Sequence, residues 1–156
     1  MECLTRGEIM DRIKLKFFTL DEANALLPEI REKLQEISDT KDNIISALQQ
    51  VHLLRHKAFY NGTRKCIMEK ARELIKFQNE IEGLHISLME KGLIVRDYEQ
   101  GMIDFPTIIE GDLGYFCWLN EEEKISHWHW SGEGERKPLE ESNVVLRLKT
   151  EEDDVG

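Results

Sequence analysis

Between residues 104 and 129, five side chains could combine to do chemistry: Asp104, Cys117, Glu122, His127 and His129. The two histidines stand one residue apart in Ile125–Trp130, a run that reads as a strand. Residues two apart on a strand share a face, so both imidazoles reach one side of a sheet. Cys117 falls in Tyr115–Leu119, an aromatic-rich run that reads as the neighbouring strand. A thiolate, two imidazoles and a carboxylate, from Asp104 or Glu122, make a ligand set for zinc or iron.

Each of these residues also has a purely structural reading. Trp128 and Trp130 would pack on the opposite face and leave the histidines as a polar edge. Cys117, between Phe116 and Trp118, also suits a small core position. Asp104, before Phe105-Pro106, fits a turn in which its carboxylate accepts backbone hydrogen bonds. Glu122 lies in a run of three glutamates, a pattern typical of a solvated hairpin edge. Arg136 is placed to pair with Asp97, Asp104 or Glu122, or to hold an anionic ligand. Trp118 and Trp128, with Trp130, either line a ligand pocket or pack against the open end of a helical hairpin; packing is the more economical account.

The elements that position these groups divide into two kinds. Residues 19–92 read as one long helical hairpin. Thr19-Leu20-Asp21-Glu22 has the capping-box pattern, a hydroxyl followed three residues later by a glutamate. Ala23, Leu27, Ile30, Leu34, Ile37, Ile44, Leu48 and Val51 recur at steps of four and three, with Lys41 and Arg55 in the same register. Pro28 predicts a kink or short break near Leu26-Leu27. Tyr60-Asn61-Gly62-Thr63 signals the turn between the arms. The second arm places Ile67, Ala71, Leu74, Ile81 and Leu88 on its seam, with Gln78 and His85 as polar members, and Gly92 follows as a C-cap. Leu26, Ile45, Leu53, Phe77 and Ile86 lie off that seam. A second copy of the hairpin, completing a four-helix bundle, would cover them.

Ahead of the hairpin, residues 1–18 form an N-terminal segment in which Ile13–Phe17 alternates like a short strand. Residues 93–139 read as a small antiparallel β module, with strands at Leu93–Val95, Met102–Phe105, Tyr115–Leu119 and Ile125–Trp130. Arg96-Asp97 ends the first and Pro106 stops the second. Residues 140–156 carry a candidate strand at Val144–Leu148 and an acidic, disordered tail. The fold class is therefore α+β: a long antiparallel, coiled-coil-like hairpin plus a small antiparallel β module.

A net charge of −10 argues against a general nucleic-acid or anionic-membrane binder. It is unevenly spread, because His52, Arg55, His56, Lys57, Arg64 and Lys65 gather at the hairpin tip. Cys3, Cys66 and Cys117 are too widely spaced for a disulfide framework and point to a reducing compartment. No signal peptide or membrane-length apolar run stands out, which predicts a cytoplasmic protein.

A set of short motifs runs through the chain in order. Phe18-Thr19-Leu20-Asp21-Glu22-Ala23-Asn24-Ala25-Leu26-Leu27-Pro28 opens it. Gly92 with Asp97, Gly101 with Asp104-Phe105-Pro106, Cys117-Trp118 with Glu122, Trp128-His129, and Arg136 with Pro138 follow. On these the chain resembles the prokaryotic family Domain of Unknown Function 2203, over roughly Phe17 to Leu139. The resemblance implies a helical hairpin with a small β module and implies no reaction. His127 and Trp130 depart from the family pattern.

No phosphate-binding glycine loop, nucleophile elbow or helix-borne His-Glu-x-x-His is present. The leading expectation is a non-catalytic interaction module that homodimerises through its hairpin, engages another protein and needs no cofactor. The first alternative is a metal-dependent or ligand-binding enzyme using Cys117, His127 and His129 with Asp104 or Glu122. The second, by architectural analogy alone, is an RNA-polymerase accessory factor.

Overall fold

The computed structural model describes residues 16–56 and 62–139. It contains two helices, α1 (Leu20–His56) and α2 (Thr63–Glu90). Five strands follow: β1 (Ile94–Asp97), β2 (Met102–Ile109), β3 (Asp112–Leu119), β4 (His127–Trp130) and β5 (Lys137–Pro138). The strands form one antiparallel sheet in chain order. The α+β class, the hairpin and the β module are as the sequence predicts.

The chain separates into two compact units, Glu32–Ile86 and the remainder. In the larger unit, α1 begins as its capping pattern requires: Glu22 N donates to Thr19 Oγ1 at 3.2 Å. Pro28 neither breaks nor ends the helix, which is continuous from Leu20 to His56. A mid-helix proline costs about 3 kcal/mol. Burial of Ala23, Leu27 and Ile30 around it offsets that cost, each larger apolar side chain contributing about 1.5–3 kcal/mol. α2 ends at a left-handed glycine: Gly92 has φ 86° and its N donates to Met89 O.

The sheet of this unit has two unlike faces. One is apolar, with Ile103 opposite Trp118 and Phe105 opposite Phe116, which in turn faces Trp128. The first turns of α1 lie against it. Phe18 meets Phe105 edge-on at 5.4 Å, and the Arg31 guanidinium sits over Trp118. Arg31 also donates to the carbonyls of Glu122 and Glu123, while Asn24 Oδ1 accepts from Ile125 N. The opposite face carries Asp104, Cys117 and His127 in one cross-strand row and Tyr115 beside His129 in the next.

β2 continues to Ile109 instead of stopping at Pro106. The Pro106 carbonyl accepts from Phe18 N, so it points away from β3. The nitrogen of the same residue points to that same edge, and no ladder bond is lost where the N–H is missing. β1 likewise runs through Arg96 and Asp97, two residues past its predicted end, and β5 adds a two-residue strand that the sequence pattern does not predict. Glu110 and Gly111, both with positive φ, make the two-residue turn between β2 and β3.

In the smaller unit the arms meet along a different line from the predicted heptad. The more buried positions on α1 are Leu34, Ile37, Thr40, Ile44, Ala47, Val51 and Leu54, whereas Leu48 and Arg55 are exposed. On α2, Leu74, Phe77, Ile81 and Leu84 are half-buried while Ala71 and Gln78 are exposed. Two successive steps of three, Leu34 to Ile37 to Thr40, each cover about 300° and rotate the contact line back by one position. Thr40 tolerates its buried place because its hydroxyl donates to Glu36 O at 2.8 Å.

Of the predicted Ile13–Phe17 strand, only Lys16 and Phe17 are described, and neither is in a strand. The Tyr60-Asn61 part of the turn, Lys57, Cys3 and the Val144–Leu148 strand lie outside the described residues. No described helix is long and apolar enough to cross a membrane.

Candidate metal centre

The polar face of the sheet is built by strand register. Asp104 on β2 stands directly opposite Cys117 on β3, and His129 on β4 lies one pleat along, opposite Tyr115. Asp104, Cys117 and His129 are all buried, and one ligating atom from each lies within 4.8 Å of the other two. They are the one such group of three or more metal-ligating side chains among the described residues.

The hydrogen bonds around His129 restrict its protons. Nδ1 lies 2.9 Å from the Trp130 carbonyl, which only accepts, so Nδ1 carries a hydrogen. Nε2 then faces Asp104 Oδ2 at 2.9 Å. A neutral ring would aim a lone pair at a carboxylate there. The contact is sound if Nε2 also carries a proton, giving a buried imidazolium–carboxylate pair, or if a cation sits against both groups. Arg96 Nε donates to the same Oδ2 at 2.8 Å, while Asp104 Oδ1 is buried with no hydrogen-bond partner. A buried carboxylate oxygen without a donor is costly unless something else satisfies it.

Cys117 completes the group as a ligand type and not as a nucleophile. Burial first, then the charge of Asp104 and a hydrogen bond to it, pushes its thiol up to about 12, with Arg136 opposing. A thiol of that kind is inert at neutral pH, and neither His129 nitrogen is left to deprotonate it. A metal ion would displace its proton directly.

The remaining sequence candidates form a second cluster. Arg136 donates to both carboxylate oxygens of Glu122 at 2.8 Å and to Cys117 O at 3.1 Å. Glu122 Oε2 also accepts from Leu119 N, and its carbonyl accepts from Trp118 Nε1. Glu122 is thus the staple of the β3–β4 turn and not a solvated edge. Burial works to lower the Arg136 pKa, but the Glu122 carboxylate and Cys117 beside it raise it on balance. His127 shares a face with His129 but turns to Ser126 Oγ and Glu122 Oε1, at 2.9 and 3.3 Å. It therefore joins Glu122 and not the Asp104 group. Asp104 holds side chains and not the turn backbone; that turn is capped by Asp97, which accepts from Glu99 N and Gln100 N. Trp118 and Trp128 are buried, Trp128 meets Trp130 edge-on at 5.0 Å, and Trp128 Nε1 is buried with no hydrogen-bond partner. Arg96 and Tyr115 were missed as site residues. The Arg96 guanidinium lies over the Tyr115 ring at 5.3 Å, and that ring lies against His129, also at 5.3 Å.

The family model described as "Uncharacterized conserved protein (DUF2203)" matches residues 16–139, most of the chain. The chain belongs to the DUF2203 family. The matched span covers both helices, the whole sheet and every residue of the two clusters in this DUF2203 protein. Searches of curated proteins and of solved structures each returned no match.

Proposed function

We propose that this DUF2203 protein holds one transition-metal ion, zinc or ferrous iron, with Asp104, Cys117 and His129. The observation that carries the reading is the pairing of His129 with Asp104: Nδ1–H is spent on a backbone carbonyl and Nε2 is turned toward a carboxylate that has a second, unbonded oxygen. Anchoring of the distal ring nitrogen by a backbone carbonyl is the usual outer-sphere support of a ligating histidine. The mixed thiolate, imidazole and carboxylate set suits zinc or iron better than magnesium or calcium. Three protein ligands leave a position for water or substrate, the arrangement of catalytic zinc sites. Elemental analysis of untagged protein purified without chelator tests the reading. Near-equimolar zinc or iron, lost in His129→Ala and Asp104→Asn, is expected. Metal-free wild type that takes up none on reconstitution would overturn it and leave a buried ion pair.

A second reading, self-association through the hairpin, is favoured by a separate observation. Ile45, Leu48 and Leu53 on α1 and Met68 and Ile75 on α2 are each more than half exposed. A single chain leaves them in water, and a second copy of the hairpin would bury apolar surface from both arms. Sedimentation velocity separates the outcomes: a dimer dissociated by Leu48→Glu with Ile75→Glu supports the reading, and a monomer at all concentrations removes it.

A further inference from the structure

Arg96 occupies an irregular place in the sheet. Val95 pairs with Ile103 and Asp97 with Met102, so Arg96 is the extra residue of a β-bulge on the edge strand. Bulges bend a strand and re-aim a side chain. Here the re-aimed arginine ends at the candidate centre: Nε donates to Asp104 Oδ2, and the guanidinium carbon lies over the Tyr115 ring at 5.3 Å. Its side chain is 44% exposed although Asp104 is 1% exposed, so Arg96 spans the distance from solvent to the buried group. Among the described residues its polar contact is that one bond through Nε. The two terminal nitrogens, which form the planar fork that matches an oxyanion, are left for another acceptor.

From this arrangement we infer that Arg96 is the anion-binding arm of the centre, which takes a small oxyanion of the carboxylate or phosphate type. Oxygens of the anion would accept from the terminal nitrogens of Arg96, and one of those oxygens would fill the metal position that Asp104, Cys117 and His129 leave open. The charges agree with this assignment. A divalent ion with Asp104 and a Cys117 thiolate is neutral, and Arg96 adds one positive charge facing solvent. The inference rests on the metal reading above and extends it to the class of ligand.

Cobalt(II) substitution tests both while keeping them apart. Cobalt added to chelator-treated full-length protein is expected to give a thiolate-to-metal absorption band that Cys117→Ser lacks. Oxalate, acetate and inorganic phosphate are then titrated separately into the cobalt protein. At least one should shift the visible cobalt bands saturably, and the most effective of them names carboxylate or phosphate as the ligand type. In Arg96→Gln and Arg96→Lys the thiolate band and cobalt stoichiometry should persist, while anion affinity falls roughly tenfold or more in the glutamine variant, the loss expected for a charged hydrogen-bonding pair. The lysine variant, which keeps the charge without the fork, should fall between. Unchanged affinity in Arg96→Gln, or no anion response in a protein that binds cobalt, would overturn the role of Arg96 and leave the metal reading standing. Absence of the thiolate band in wild type would overturn both.

Discussion

The sheet unit and the hairpin unit break the usual inside–outside rule in opposite directions. The sheet buries Asp104, Cys117 and His129, three groups that ionise, beside a carboxylate oxygen with no donor. The hairpin leaves Ile45, Leu48, Leu53, Met68 and Ile75 in water. Buried polar groups call for compensating charge or hydrogen bonds, and exposed apolar groups call for cover. The first needs something as small as an ion; the second needs something as large as another helix pair. The two departures therefore point to two different partners, and a change in one unit should leave the other's partner unaffected.

The largest effect expected in either unit is from Asp104→Ala. It strands His129 and Arg96 without their shared acceptor and should destabilise the protein by about 3–5 kcal/mol, the cost of breaking a buried pair. Urea unfolding monitored by tryptophan fluorescence measures it; a loss under about 1 kcal/mol would mean the carboxylate carries little of the buried charge balance. Next is Glu122→Ala, which releases Arg136 and the Leu119 amide together and should cost about 2 kcal/mol by the same assay. Metal content should survive that change, because Glu122 lies outside the Asp104 group.

A separate effect is confined to alkaline pH. Burial in the folded protein raises the Cys117 thiol from its ordinary 9.0 to about 12. Its neutral form therefore adds stability that is fully present below about pH 9 and is lost as pH rises toward 12. Chelator-treated wild type should lose more stability across that window than Cys117→Ala does. Under the same conditions at pH 8, iodoacetamide should label the exposed Cys66 and spare the buried Cys117, read by peptide mass spectrometry. The smallest effect on the fold itself is expected from Leu48→Glu with Ile75→Glu. Both positions are exposed, so monomer stability should stay within about 0.5 kcal/mol. Their consequence belongs in the association state, and an equal loss of metal would break the separation drawn between the two units.

Much of the architecture is legible in the sequence because it is encoded locally. The Thr19 cap, the Gly92 stop and the aromatic-rich run of Tyr115–Leu119 each depend on residues within a few positions of one another. Local signals failed where a distant group decides the outcome. Pro106 reads as a strand terminator, but Phe18 supplies the edge that lets β2 continue. Glu122 reads as a solvated glutamate, but Arg136, fourteen residues away, claims it. An ideal heptad runs through Lys41, whereas the helix turns its Thr40 face inward.

By itself the sequence determined the residue types of the candidate centre, the elements that carry them and the shared face of His127 and His129. Tertiary structure alone decided which of them meet. Strand register sets Asp104 against Cys117, and side-chain choice sends His129 to Asp104 and His127 to Glu122. A bulge of one residue brings in Arg96. Periodicity assigns a side chain to a face, but cross-strand pairing and rotamer fix which neighbour it reaches, and those depend on contacts between segments that no local window of sequence contains.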